Sequence, residues 1–297
     1  MSSEHHHGPA NPRARKAEPP PAPLTLDGSP VLHQMFRLRW PAWRALDADR
    51  RRAIAEQAAQ ALTTMEGHPE GGSAVFAQLG HKGDLLLVHF RRSFEALHEV
   101  ELQLSQLDLY EYLESTTSYV STVELGLYAT ALQAYPQWIE KGLEPGSEEW
   151  VAAEKEKIAE QAAAMAPRLF PTIPPNRYLC FYPMDKKRGE QKNWYAEPIA
   201  DRGRMMRDHG MIGRRYAGKV KQIISGSIGF DDWEWGVDLF ADEPLVFKQL
   251  IYEMRFDEAS AWYALFGPFY IGIRVMAGEL PVWLDGRQPQ YGPPQSE

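Results

Sequence analysis

Apolar and polar positions alternate over residues 31–40 (VLHQMFRLRW), the period of a half-buried strand. Pro41 suits the first turn of a helix running to about residue 62, which the Gly-rich residues 67–73 end. Residues 74–79 and 85–90 read as two strands joined by the turn Gly80-His81-Lys82-Gly83. A helix over 94–104 and a strand over 119–127 follow. The order is β-α-β-β-α-β, the ferredoxin-like unit.

The same order returns further on. Residues 178–182 form a strand and 185–192 a polar loop; residues 197–209 form a helix with Pro198 in its first turn. Strands over 219–227 and 234–241 meet at a turn near Gly229; a helix over 244–254 and a last strand over 269–275 complete the unit. The predicted fold class is α+β, with two ferredoxin-like units pairing their sheets into a dimeric α+β barrel within one chain. The boundaries expected are a flexible extension over 1–28, an N-terminal unit over 29–135, a helical connector over 136–177, a C-terminal unit over 178–280 and a surface tail over 281–297. In the connector, residues 150–165 (WVAAEKEKIAEQAAAM) are rich in strong helix formers, and Arg168 follows in a Pro-bounded segment.

Composition narrows the partners. Hydrophobic residues at 44% and charged ones at 24% are those of a globular protein. A formal net charge of -8 argues against nucleic acid or an anionic membrane as partner. Local basic clusters, Lys186-Lys187-Arg188 and Arg214-Arg215, still suit a small anion. The single cysteine, Cys180, excludes an intrachain disulfide and any multi-cysteine metal site, so a reducing cytoplasm is the expected compartment. No apolar run approaches the roughly 20 residues of a membrane span, and the N-terminus has no signal-peptide core. His5, His6 and His7 fall in the Pro- and Ala-rich extension, where three histidines do not amount to a site.

His209 is the only histidine in the C-terminal half. It is either a helix-terminal histidine favoured by the helix dipole or a lone axial ligand to a haem iron, which needs one imidazole and an apolar wall. No second histidine or carboxylate stands at helical zinc-site spacing from it. Tyr182 either packs a strand end or offers a phenol at a cofactor edge. Lys186, Lys187 and Arg188 either line a solvated loop or, with Arg168, grip carboxylates. The carboxylates of Asp231-Asp232-Trp233-Glu234-Trp235 fit sheet packing better than acid–base work.

Longer motifs carry a resemblance. YPMDKKR at 182–188, NWY at 193–195, RMMRDHGMIGRRYAGKVKQIISGSIGFDDWEWGVDLF at 204–240 and YEMRFDEASAWYALFGPFYIG at 252–272 are similar to the coproheme decarboxylases of the chlorite-dismutase-like superfamily. The likeness is dense over 178–275 and looser over 31–135, where VSTVELGLY at 120–128 belongs to it. It implies two ferredoxin-like units with haem in the C-terminal one alone, and assembly as a homopentamer. It implies the last step of a coproporphyrin-dependent haem pathway, with a coproporphyrin ferrochelatase as partner. The substrate, iron coproporphyrin III (coproheme), would also be the cofactor, and hydrogen peroxide would convert it to haem b. The resemblance makes His209 the proximal iron ligand and Tyr182 the redox-active tyrosine. It sets Lys186 and Arg168 at substrate propionates and gives Ser260 a hydroxyl role. Gln222 falls where chlorite dismutases carry a distal arginine, which favours the decarboxylase over chlorite degradation. A chlorite dismutase and a non-catalytic haem-binding protein of the same fold are the alternatives.

Overall fold

The computed structural model describes residues 18–290. Its N-terminal unit is built from β1 (Leu24–Leu38), α1 (Trp40–Ala45), α2 (Ala48–Glu66), β2 (Gly72–Gln78), β3 (Leu85–Phe90), α3 (Phe94–Ser105) and β4 (Leu113–Leu127). Two helices follow, α4 (Tyr128–Glu140) and α5 (Glu148–Leu169). The C-terminal unit is β5 (Tyr178–Lys186), α6 (Ile199–Arg215), β6 (Lys221–Gly226), β7 (Trp235–Ala241), α7 (Leu245–Met254), α8 (Glu258–Tyr263), β8 (Ala264–Phe266) and β9 (Tyr270–Val275). A last helix, α9 (Leu280–Leu284), returns to the N-terminal unit.

The strands run in the order β7-β6-β4-β1-β3-β2-β9-β5-β8, and β5 also pairs with β7. The sheet therefore closes on itself, with β8 added beyond the ring at the end of β5. Every pairing is antiparallel. Each unit keeps the ferredoxin-like strand order, and the units join at β4–β6 and β2–β9. Closure leaves neither unit with an unpaired edge along the ring.

Side chains alternate between the two faces of each strand. The interior is filled by Val31, Met35, Phe76, Leu86, Phe90, Phe181 and Phe240, among others. One polar contact crosses it: His33 Nε2 lies 2.9 Å from Asp238 Oδ1, both fully buried, and the imidazole stacks on Phe181 at 4.0 Å. This pair ties β1 of one unit to β7 of the other. The outer face of the N-terminal sheet is sealed by α2, α9 and their neighbours (Ile54, Ala58, Leu62, Leu280, Leu284). The outer face of the C-terminal sheet is covered by α6 and α7, through Ile212, Val246, Phe247, Leu250 and Met254.

Several boundaries differ from expectation. β1 begins at Leu24, inside the expected extension, because Leu24 and Leu26 are buried and pair with Leu127 and Leu125. Residues 1–17 lie outside the described residues, and His5 to His7 with them. The helix expected over 41–62 is two, since Asp47 accepts from the Arg50 amide (2.8 Å) and starts α2 afresh. α6 continues past His209 to Arg215, which removes the helix-terminal reading of that histidine. α8 and β8 were not foreseen. The tail is not wholly superficial: Leu280 and Leu284 are buried, and Trp43 Nε1 donates to Leu284 O at 2.9 Å.

Docking of α9 should therefore be measurable. Leu280→Ala is expected to cost about 2–5 kcal/mol in urea unfolding, the range for a fully buried leucine; a loss near zero would show that α9 does not hold the N-terminal unit.

Candidate functional site

β5 presents Leu179 and Phe181 to the barrel interior and Cys180 and Tyr182 to the outer face. Lys186, four positions on, keeps Tyr182's parity. At about 3.3 Å per residue, Tyr182 and Lys186 lie roughly 13 Å apart along the strand. Tyr182 is buried between Phe269 (4.6 Å) and Phe266 (5.7 Å). Burial, with the Cys180 thiol beside it, pushes its phenol well above the ordinary tyrosine range, against the pull of Arg255. It is thus a protonated phenol at neutral pH, held in an apolar wall.

Lys186 is 8% exposed, with Nζ 4.4 Å from the Trp194 ring centre. Burial pushes its ammonium down to about 8, although Asp257 and Glu234 favour the charged form. Glu234 also accepts from the Lys186 amide at 2.7 Å and fixes the end of β5. Asp231 and Trp235 of the same run also make contacts to β4. Asp231 Oδ2 accepts from the Val120 amide at 2.9 Å, and Trp235 Nε1 donates to Glu124 at 3.2 Å. These carboxylates hold backbone and side chains across the seam between units.

His209 stands within α6 with its side chain 24% exposed. Its Nδ1 lies 2.9 Å from Asp257 Oδ2 and 3.3 Å from Ser260 Oγ. Asp257 caps α8: its Oδ1 accepts from the Ser260 amide (2.9 Å) and its Oδ2 from the Ser260 hydroxyl (3.1 Å). Burial alone would raise the Asp257 carboxyl. The hydrogen bond and charge of His209 and the Ser260 bonds outweigh it, so the carboxyl titrates below its ordinary range. A carboxylate at Nδ1 requires the proton there and leaves the Nε2 lone pair for a metal. Among the described residues no cluster of three or more His, Cys, Asp or Glu is arranged for a metal ion. What His209 offers is a single nitrogen donor, which suits an iron already held by a macrocycle.

Gln222 lies on β6 opposite Leu239, which is itself opposite Cys180, so it belongs to the outer face that carries Tyr182. Ser260 is tied to Asp257 and His209 rather than standing alone. Arg168 is elsewhere: it ends α5, which packs on β1 and β4, and its side chain is exposed with Nη1 3.9 Å from Met165 Sδ. No described contact joins it to Tyr182, Lys186, Gln222, His209 or Ser260. The residue that sequence reasoning missed is Asp257. The spacing Asp257-x-x-Ser260 is a helix-start signal, but its partner His209 is 48 positions away.

Residues 51–275 match the family model described as chlorite dismutase. The chain belongs to this family. A Haloquadratum walsbyi protein named for heme binding is 42% identical over 268 residues, covering 89% of this chain and 47% of that relative. The chain thus spans about half the length of that curated relative. Among solved structures, a heme-binding protein from Thermus thermophilus is 37% identical with a TM-score of 0.75, covering 90% of this chain and all of that one. A chlorite dismutase variant from Candidatus Nitrospira defluvii shares the fold at 15% identity and a TM-score of 0.65, covering 87% of this chain and 95% of its own. No helix among the described residues is long and apolar enough to cross a membrane.

The buried ammonium of Lys186 should weigh on the stability of this chlorite dismutase family member. Its folded value near 8 lies below the ordinary 10.5, so the unfolded chain binds the proton more tightly and stability rises as pH climbs through that window. Lys186→Met is expected to stabilise the ligand-free protein by about 1–3 kcal/mol at pH 7, with the gain shrinking above pH 8. An equal gain from Lys186→Met at pH 7 and pH 10 in thermal melts would refute the buried-charge description.

Proposed function

We propose that this chain catalyses the hydrogen-peroxide-dependent oxidative decarboxylation of two propionates of iron coproporphyrin III, giving haem b through a monovinyl intermediate. The observation that carries the reading is Tyr182, a buried protonated phenol on the sheet face and strand that also bear the buried cation Lys186. The His209–Asp257 pair supports iron binding, because its Nε2 is left free. Relatives named for heme binding support the same class of ligand.

Each conversion of a propionate to a vinyl releases carbon dioxide, one proton and two electrons, and one peroxide takes up two electrons and two protons to become two waters, the second proton coming from solvent. Bound at His209, the iron porphyrin supplies the oxidising power at the expense of peroxide. Tyr182 loses its phenolic hydrogen and recovers one from the β-carbon of the facing propionate. The apolar ring wall of Phe266 and Phe269 keeps water from that hydrogen. Lys186 holds a propionate by charge, since an ammonium that titrates at about 8 is mostly protonated at pH 7. Asp257 keeps the Nδ1 proton on His209 and so its orientation. Ser260 supports Asp257, and its hydroxyl is the group available for a further substrate contact. Arg168 as a propionate ligand belongs to this proposal, and would require the end of α5 to approach the C-terminal unit.

Gln222 supports the decarboxylase over chlorite degradation. A neutral amide on the outer face lacks the charge with which an arginine would hold an oxychlorine anion. Assembly as a homopentamer, a cytoplasmic setting and supply of substrate by a coproporphyrin ferrochelatase are parts of the same reading.

The test is anaerobic loading with iron coproporphyrin III, titration with hydrogen peroxide and mass spectrometry of the porphyrin. Stepwise loss of two carboxyl groups is expected. Tyr182→Phe should still bind substrate but lose conversion by about 100-fold or more, the scale of a deleted reacting group. Undiminished conversion by that variant would reject Tyr182's role, and oxygen release from chlorite would point to the other branch.

A further inference from the structure

Beside the proposed site lies an aromatic cluster that the reaction above does not use. Trp194 and Tyr263 are both buried, with ring centres 5.3 Å apart in an edge-on arrangement. Met205 and Ala259 pack with them. The cluster is bracketed by the proposed site. Met205 sits one turn before His209 on α6, and Tyr263 sits one turn after Ser260 on α8. Lys186 Nζ caps the Trp194 face at 4.4 Å.

Two features distinguish Tyr263 from an ordinary core tyrosine. Its hydroxyl donates to Glu197 Oε1 at 2.6 Å, the length of a charge-assisted bond, so a proton acceptor is already in place. Its neighbour in the chain, Trp262, is 55% exposed, and Lys192 Nζ lies over both rings, at 5.1 Å from Trp262 and 5.7 Å from Tyr263. A cation over Trp194 opposes a lasting indole cation there. A carboxylate at the Tyr263 hydroxyl takes the proton, so oxidation leaves a neutral phenoxyl. Lys192 stands farther from the Tyr263 ring (5.7 Å) than Lys186 from the Trp194 ring (4.4 Å), and only the tyrosine has a carboxylate on its acidic proton, so the pair runs downhill from Trp194 to Tyr263.

We propose that Tyr263, with Glu197 as its proton acceptor and Trp194 as its relay, is a second redox-active tyrosine that drains oxidising equivalents from the haem side when no propionate is there to be oxidised. The proposal rests on the haem-binding reading of His209. The oxidant is hydrogen peroxide, and its reduction to two waters takes two electrons and two protons. Tyr263 gives one electron while its phenolic proton passes to Glu197. Trp194 gives the second, and its indole proton together with one proton from solvent completes the two waters. One peroxide thus yields two waters and two neutral side-chain radicals.

The test uses the full chain carrying Tyr182→Phe, loaded with haem b so that no coproheme conversion is needed. It is mixed with hydrogen peroxide, frozen and read by electron paramagnetic resonance with ring-deuterated tyrosine. A tyrosyl signal that narrows on deuteration is expected, with loss of most of it when Tyr263→Phe is added. Glu197→Gln, which keeps a hydrogen-bond partner but removes the base, should lower the yield while leaving the Soret band unchanged. A tyrosyl signal undiminished in both added variants overturns the proposal and leaves haem binding intact. A chain that shows no Soret band with haem b overturns the haem reading and this proposal with it.

Discussion

Closure of the sheet through β5 is the constraint on which the rest depends. β5 pairs with β7 along one edge and with β9 and β8 along the other, so its register fixes which residues face inward. Phe181 faces in and stacks on His33. Tyr182 is thereby sent outward, away from the core shared by the units and toward α7. A slip of one position would exchange these two rings and place the phenol inside the barrel. The buried His33–Asp238 pair opposes such a slip, because it binds the opposite wall of the barrel to the strand beside β5. The N-terminal unit, whose own outer face is sealed by α2 and α9, thus supports the position of residues it does not touch.

The chemistry-bearing groups are held in a manner that costs stability. Burial costs the Lys186 ammonium more than Asp257 and Glu234 return, and Tyr182 lies in an apolar wall. A fold under no demand but stability would place an uncharged side chain such as methionine at 186, against the Trp194 ring. Asp257 shows the reverse case. Its burial is unfavourable, and three hydrogen bonds more than offset it, from His209 and from the amide and hydroxyl of Ser260. The capping of a short helix and the orientation of an imidazole are done by one carboxylate.

Much of this was legible in the chain. Alternation over 31–40, the apolar run at 85–90 and the helical stretches around them disclosed the first β-α-β-β-α-β unit, and the same order of elements from 178 on disclosed the second, because those patterns arise from backbone geometry that tertiary packing did not override. The start of β1 was hidden because Asp27-Gly28-Ser29-Pro30 reads as a loop; the strand passes through it with a register shift. The true end of α6 was hidden by Gly210 and Gly213. A Cβ at Gly213 would come 3.3 Å from Met254 Cε, so a glycine permits the close approach of α6 to α7 there. The His209–Asp257 contact joins elements 48 positions apart and leaves no local signature. Arg168 precedes β5 closely in sequence, yet it ends a helix that belongs with the N-terminal sheet. Nearness along the chain was a poor guide where a long helix intervened.

The central claim is that His209, oriented by Asp257, is the iron ligand of this chain. Resonance Raman spectroscopy of the ferrous, haem-loaded protein addresses it directly through the iron–histidine stretch. The account predicts a band that is absent in His209→Ala and moves to lower frequency in Asp257→Asn, where the ring loses its carboxylate partner. The same band, unmoved in both variants, would contradict it and place the iron on another residue.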